Sequence, residues 1–378
     1  MKIVHIHQYF NEGYGYQENI LPSYQKKLGH DVILITSDLA DGHNNEPRKR
    51  KLGDFIENDF TVRRIKTHGE FKKRFVLFKN LYEELEREKP DYIYHHSPTA
   101  PSLITVYKYK KNNPQTTIVV DNHADLQISG RNKLWKLFYY NFLWKNILKK
   151  VDSKIDHYFG VTPDRCLFLQ KELGIKEEKI SLLPIGSDNL FIDSVLGNNI
   201  DIKELESIKQ DNLLVCSGGK MTPNKKTEEL IWAFKQLDID NVKLVLFGSI
   251  EDDKLHDLID QDEDIIFLGW RERKDVIKIL GMCDLGVWAN QHTTLLEDAV
   301  GCELPLVLRE YGSTSHLIDK NGVFVQENKK EQIYNVLTDL LNQPSKIEKM
   351  KKEATKMKEK VSYKEIARQS IYKVEETK

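Results

Sequence analysis

Twice along this chain, short runs of β-branched and apolar residues alternate with helix-length segments, and each run ends in a glycine or a polar turn. That alternation constrains the fold more than any other feature, because parallel strands need a crossover, usually a helix, between them. In the first half, Lys2 to His7 reads as a strand and Gly13-Tyr14-Gly15 as a turn. Glu18 to Leu28 reads as a helix closed by Gly29, and Asp31 to Thr36 as the next strand. Asp91 to His95, Thr116 to Asp121, Asp156 to Thr162 and Ile180 to Leu183 continue the series, with helices predicted over 75–88, 101–111, 132–150 and 163–173. The pattern restarts at Leu213-Leu214-Val215-Cys216-Ser217, ended by Gly218-Gly219. Val242 to Phe247, Ile265 to Leu268, Asp284 to Trp288, Leu304 to Leu308 and Val323 to Val325 are its further strands.

The expected fold class is therefore α/β, with two doubly wound Rossmann-like domains facing across a cleft. Residues 1–185 form the first, 186–199 a linker marked by Gly186 and Gly197, and 200–362 the second. The tail from Lys329 is helical with Lys/Glu-rich faces, and 41–59, with Arg48-Lys49-Arg50-Lys51, reads as a flexible surface loop.

Charge divides along the same line. Residues 1–183 carry 30 Lys+Arg against 23 Asp+Glu, net +7, whereas the rest carries 27 against 35, net −8. A basic first half fits an anionic surface or acceptor. No stretch reaches the roughly 18 apolar residues of a membrane span, since Leu134 to Leu148 is broken by Lys136, Asn141, Lys145 and Asn146. Cys166, Cys216, Cys283 and Cys302 lie far apart, which points to reduced, unligated thiols. With no signal peptide apparent, a cytoplasmic location is expected, at the inner face of the cell membrane if the basic half docks there. The basic tetrad lacks aromatic interleaving, so nucleic acid is not an expected partner.

In a doubly wound sheet ligands bind beyond the carboxyl ends of the strands. Gly13 and Gly15 follow the first strand and would let the backbone approach a phosphate or sugar; a plain tight turn explains them equally well. The dinucleotide fingerprint is incomplete, so NAD is not expected. Gly218, Gly219 and Lys220 end the first strand of the second half, with Lys225 close behind. Two cations there could neutralise a departing diphosphate, or be solvated at a helix start. Thr293 and Thr294 open a short helix whose free N–H groups could hold phosphate. Glu297, one turn in, could accept from two ribose hydroxyls or form a capping box with Thr294. His123 in Asp121-Asn122-His123-Ala124-Asp125 could donate to a sugar hydroxyl or be satisfied by a neighbouring carboxylate; His95-His96 occupies the same position after its own strand. No H-E-x-x-H or C-x-x-C spacing supports a metal. From 131 to 154, aromatics alternate with Lys133, Lys136, Lys145, Lys149 and Lys150, which fits either a helix with an aromatic core face or one lying on a membrane interface.

The blocks Cys216-Ser217-Gly218-Gly219-Lys220-Met221-Thr222-Pro223-Asn224-Lys225, Leu244 to Ser249, Phe267 to Trp270 and Leu296 to Pro305, in that order and spacing, resemble the retaining glycosyltransferases of family 4, which have the GT-B fold. The resemblance covers nearly the whole chain. It implies that Lys220 stands in place of the family's arginine at the diphosphate, that Lys225 matches its lysine, and that Glu297 matches the ribose-binding glutamate. It places Gly248, Ser249, Trp270 and Arg271 around the nucleoside, Thr293, Thr294 and Leu295 at the donor, and Gly13 to Gly15 in a donor-facing glycine loop. His123 looks like the histidine that contacts the transferred sugar. Together with Lys220 and Lys225 it makes up the catalytic set. Tyr16, His96 and Asp125 are the acceptor-binding candidates. The last helix, 363–378, is implied to return to the first domain. One departure is Ala289, where the family often has a second glutamate; Asn290, Gln291 and His292 are nearby.

The implied function is transfer, with retention, from a nucleotide-diphospho-sugar, a UDP-sugar favoured. The acceptor would be a glycan or polyprenyl-linked glycan of surface polysaccharide or glycoconjugate biosynthesis. No metal and no cofactor are expected. The rival readings are a sugar-nucleotide 2-epimerase and a non-catalytic sugar-nucleotide-binding partner protein.

Overall fold

The computed structural model describes residues 1–378 except 42–46, 126–128, 130–131, 199–201, 252–253, 290–292, 311, 327–328 and 377–378. The chain forms two compact units, residues 1–185 with 363–378, and residues 186–362.

The first unit holds β1 (Lys2–His7), β2 (Asp31–Ser37), β3 (Gly53–Glu57), β4 (Phe60–Ile65), β5 (Thr67–Phe71), β6 (Phe75–Phe78), β7 (Tyr92–His96), β8 (Thr117–Asn122), β9 (His157–Gly160) and β10 (Ile180–Leu182). Its main sheet runs β10-β9-β8-β7-β1-β2-β4-β3, parallel except for the antiparallel edge pair β3–β4. The central strands are buried on both faces, which is why their sequences are nearly continuous apolar runs. Strand order reverses between β1 and β7, so their carboxyl ends, His7 and His96, flank a topological switch point. The helix Tyr363–Glu376 belongs to this unit. Its Tyr363, Ile366, Ala367 and Ile371 share a core cluster with Ile20, Leu21 and Tyr24 of the helix Gln17–Lys27.

Three expectations need correction here. The loop predicted over 41–59 contains strand β3, and its basic tetrad is partly tied down: Arg48 makes a bidentate pair with Glu70 (2.8 and 2.6 Å) and Lys49 reaches Asp38 at 2.5 Å. The helix predicted over 75–88 begins only at Leu81; Phe75–Phe78 is β6, which closes a hairpin on β5. The helix predicted over 132–150 is present, but its centre, Lys136–Trp144, is wound as a π-helix. That winding splits the aromatics: Tyr139, Tyr140 and Trp144 enter the core while Phe138 and Phe142 stay in solvent.

The second unit holds β11 (Leu213–Met221), β12 (Val242–Ile250), β13 (Ile265–Phe267), β14 (Leu285–Trp288), β15 (Leu306–Arg309) and β16 (Gly322–Val325). They pair in parallel in the order β13-β12-β11-β14-β15-β16, the Rossmann order, with the switch point between β11 and β14. The segment expected as a linker, 186–199, is instead folded onto this unit. Asn189–Leu196 is a helix whose first turn is capped by the Asp188 carboxylate, and Ile192 is buried in the core. Gly186 and Gly197 bound a helix, so the chain changes unit at residue 185 without a free tether.

Candidate active site

In the second unit, β11 and β12 do not stop at their glycines. They run on in register, Gly219 opposite Gly248 and Lys220 opposite Ser249. Two glycines face each other because neither position tolerates a side chain. Gly248 has φ +118°, and a Cβ there would collide with the Gly219 carbonyl; Gly219 has φ +109°. A Cβ on Gly218 would collide with the Phe247 ring. The Gly218 carbonyl accepts from the Trp288 indole N–H (3.0 Å), which ties the end of β14 across the switch point. Thr293 and Leu295 lie over Gly219: a Cβ on it would stand 3.8 Å from Thr293 Oγ1 and 3.3 Å from Leu295 Cδ1. The Gly248 amide donates to the Gly269 carbonyl (2.8 Å), and this brings Trp270 beside the glycine pair with its side chain 73% exposed.

The result is a patch of bare backbone beneath a short helix, Leu295–Gly301, beside an exposed indole. Thr294 makes no side-chain cap bond, so the capping box is not formed. Glu297 is buried one turn in. Its neighbour Asp298 is raised above the usual carboxylate range by burial, with Arg273 opposing the shift through bonds of 2.9 and 3.3 Å. Burial lowers the Lys225 ammonium from its ordinary range. Lys220 is exposed and paired with Glu251 at 2.8 Å. Arg271 is spent on Glu204 (2.8 Å) and the Leu268 carbonyl (2.8 Å), so it braces the Trp270 turn rather than facing the patch.

In the first unit the switch point carries a row of imidazoles. Asp121 Oδ2 lies 3.0 Å from His96 Nδ1 and 3.3 Å from His123 Nε2, and its Oδ1 accepts from the Ser97 amide (3.3 Å). His96 Nε2 faces His5 Nδ1 at 3.1 Å, and His5 Nε2 meets Gln25 Oε1 at 2.6 Å. Gln25 in turn donates to Ser370 Oγ on the C-terminal helix (2.9 Å). Burial raises the Asp121 carboxyl, but His96 and His123 outweigh it and hold the group well below its ordinary range. An ionised carboxylate only accepts, so His96 Nδ1 and His123 Nε2 each carry a proton toward it. His123 is 42% exposed, which leaves its Nδ1 edge for a ligand. Burial and the neighbouring His96 push His5 down to about 3; burial does the same to His95. His96, Asp121 and His123 are the described trio close enough to hold a cation, within 4.8 Å, and those atoms are spent on one another.

Two acceptor-binding expectations change. His96 is buried with both ring nitrogens engaged inside the protein, so it supports His123 rather than meeting an acceptor. Asp125 is likewise buried, 3.9 Å from Arg165. Tyr16 stays part-exposed, stacked on Tyr14 at 5.3 Å beside the loop of Gly13 and Gly15. Gly13 has φ +75°, and its amide donates to Glu57 (2.9 Å). Asn290, Gln291 and His292 lie outside the described residues.

Two family descriptions divide the chain between them. Glycosyltransferase Family 4 matches residues 21–189, and Glycosyl transferases group 1 matches residues 198–357. The chain is a family-4-type glycosyltransferase. Its GT-B fold agrees with solved structures. A Rickettsia africae glycosyltransferase superposes with a TM-score of 0.71 at 16% identity, covering 100% of this chain and 98% of that one. Anabaena Alr3699/HepE in complex with UDP and glucose superposes at 0.67, also at 16% identity, covering all of both chains. Among curated proteins, chitobiosyldiphosphodolichol beta-mannosyltransferase of Debaryomyces hansenii is 22% identical over 327 residues, 75% of this chain and 68% of the relative.

For this glycosyltransferase the sequence left Trp288 and Phe247 unassigned as supports. The neighbouring carboxylate that the sequence offers His123 is Asp121, two residues before it, where alternate side chains of a strand share a face. Nothing in the sequence pairs Trp288 with Gly218, seventy residues away.

Proposed function

We propose that this glycosyltransferase takes its sugar from a nucleotide-diphospho-sugar, a UDP-sugar in the first instance, and passes it with retention of anomeric configuration to a glycan or lipid-linked glycan. The observation that carries the donor assignment is the glycine pair Gly219–Gly248 at a Rossmann switch point, overlaid by Thr293 and flanked by Trp270. Backbone left bare at such a point admits a diphosphate, and an exposed indole offers a base its face. Lys220 and Lys225 supply the charge that a leaving nucleoside diphosphate needs as the C1–O bond breaks and its electron pair departs with the phosphate. The acceptor oxygen bonds C1, and its proton is released with the diphosphate. With its Nε2 directed at Asp121, the His123 ring turns its Nδ1 edge to a hydroxyl of the transferred sugar. This charge arrangement is offered as sufficient without a metal.

The UDP preference leans on the UDP complex of the Anabaena structure, and the lipid-linked acceptor on the name of the yeast relative. The test is calorimetric titration of UDP, GDP and ADP, with chelator present, into wild type and Glu297→Ala. Micromolar binding of one series, weakened about a hundredfold in the variant, is expected. Folded protein that binds none of the three overturns the donor assignment. Isomerised sugar nucleotide formed without acceptor would favour the epimerase. The anomeric coupling constant of the product, compared with that of the donor, tests retention directly.

A further inference from the structure

Of the fifteen large apolar side chains exposed among the described residues, five lie on one helical segment, 133–151: Leu134, Leu137, Phe138, Phe142 and Leu143. Leu134, Phe138 and Phe142 are each 64–70% exposed. A sixth, Phe71, belongs to the β5–β6 hairpin, and the hairpin is fastened to this helix. The Arg74 guanidinium sits over the Trp135 ring at 5.1 Å, and the Phe75 ring packs edge-on against Tyr139 at 5.6 Å. Helix and hairpin therefore present one surface. It is rigid from beneath, because Tyr139, Tyr140, Trp144 and Leu148 are buried in the core.

The charge framing this surface has one sign. No Asp or Glu occurs between Asp125 and Asp152, while Lys133, Lys136, Lys145, Lys149 and Lys150 do. Lys72, Lys73 and Arg74 form the hairpin turn. Lys136 is engaged by Glu172 at 3.3 Å; Lys149 and Lys150 are exposed. Apolar side chains inside a lysine frame match a bilayer interface, where rings and leucines enter the acyl boundary and ammonium groups meet anionic headgroups. A second copy of the chain is the poorer occupant, since a two-fold contact would set this cationic frame against itself. No described helix is long and apolar enough to cross a membrane, so the segment would lie in the interface plane.

We propose that the face formed by helix 133–151 and the β5–β6 hairpin docks this enzyme on an anionic lipid bilayer. The inference sharpens the lipid-linked acceptor of the preceding section, yet vesicle binding is read without substrate, so either can fail alone. The experiment is flotation of the full chain with phosphatidylcholine vesicles, with and without phosphatidylglycerol, at low and at ~0.5 M salt. We expect binding to the anionic vesicles, roughly tenfold or more weaker on the neutral ones and in high salt. Phe138→Ser with Phe142→Ser should weaken partitioning about tenfold or more, and Lys149→Glu with Lys150→Glu similarly. All four side chains are exposed, so thermal melting should stay at the wild-type value. Glu297→Ala should float as wild type does. Wild type that stays unbound, or double variants that bind unchanged, overturns the proposal. So does a dimer in light scattering that Phe138→Ser dissociates.

Discussion

Asp121 sits where an ionised carboxylate is expensive, fully buried, and it is held there by two imidazoles and a backbone amide. The negative charge does two jobs: it keeps His123 in one tautomer and anchors the row that reaches through His96 and His5 to Gln25. Asp121→Asn keeps the shape but offers an N–H where both rings now donate. It should lower kcat about a hundredfold or more while shifting the donor Kd little, a split readable by comparing kcat with calorimetric UDP affinity. A parallel loss of donor binding would argue against this role. Two buried imidazoles, one in this row and one beside it, set the acid response. His5 and His95 hold at about 3 when folded against 6.5 when unfolded. The unfolded chain therefore binds more protons between pH 6.5 and 3, and stability falls as pH drops through that window. Each group contributes about 1.4 kcal/mol per pH unit. Melting temperatures from pH 7.5 to 5 should be flat above 6.5 and fall below it, and His95→Gln should flatten the slope by about one proton. An unchanged slope would mean that His95 is protonated in the fold.

At the scale of elements, the glycines separate into two kinds that look alike in sequence. A methyl on Gly248 meets the Gly219 carbonyl, whereas one on Gly13 meets nothing within 4 Å and suffers only the positive φ. Gly248→Ala should cost about 3 kcal/mol or more in urea unfolding, Gly13→Ala about 1. Equal costs would show that β11 and β12 can separate at their ends. The strands buried on both faces were legible because burial demands continuous apolar runs, as in Asp31–Ser37 and Leu213–Met221. Where the register ended was not: glycines read as strand stops are, here, the only residues that let two strands continue side by side. The edge strand Gly53–Glu57 was missed for the opposite reason. It is mostly exposed, Ile56 included, and it is held by pairs such as Arg63–Asp54 (2.8 Å) whose partners the sequence does not join. Arg64 illustrates the limit further: it is buried, donating to the Ser37 and Phe10 carbonyls (3.0 and 2.7 Å), yet reads as one more surface cation.

For the whole molecule, the two-unit organisation followed from a pattern that restarts, and the division of charge ran with it. What the pattern could not specify is how far the first unit depends on residues at the other end of the chain. Tyr363, Ile366 and Ile371 are fully or almost fully buried against Ile20, Leu21 and Tyr24, and the Tyr92 hydroxyl donates to the Ser370 carbonyl at 2.6 Å. Fully burying each such side chain is worth roughly 1.5–3 kcal/mol. Three of them approach the whole 5–15 kcal/mol margin of an ordinary domain. Ending the chain at Ser362 would also leave Gln25 without Ser370, at the far end of the row that anchors Asp121. The truncated protein should therefore show a lowered or missing first calorimetric transition, with the second unit melting as before. UDP titration should still report the glycine-pair site, because every residue assigned to it lies within 186–362. Two transitions unchanged by the truncation would mean that the last helix is carried by the first unit without stabilising it. Loss of UDP binding in a protein whose second transition persists would mean that the donor site is not confined to the second unit.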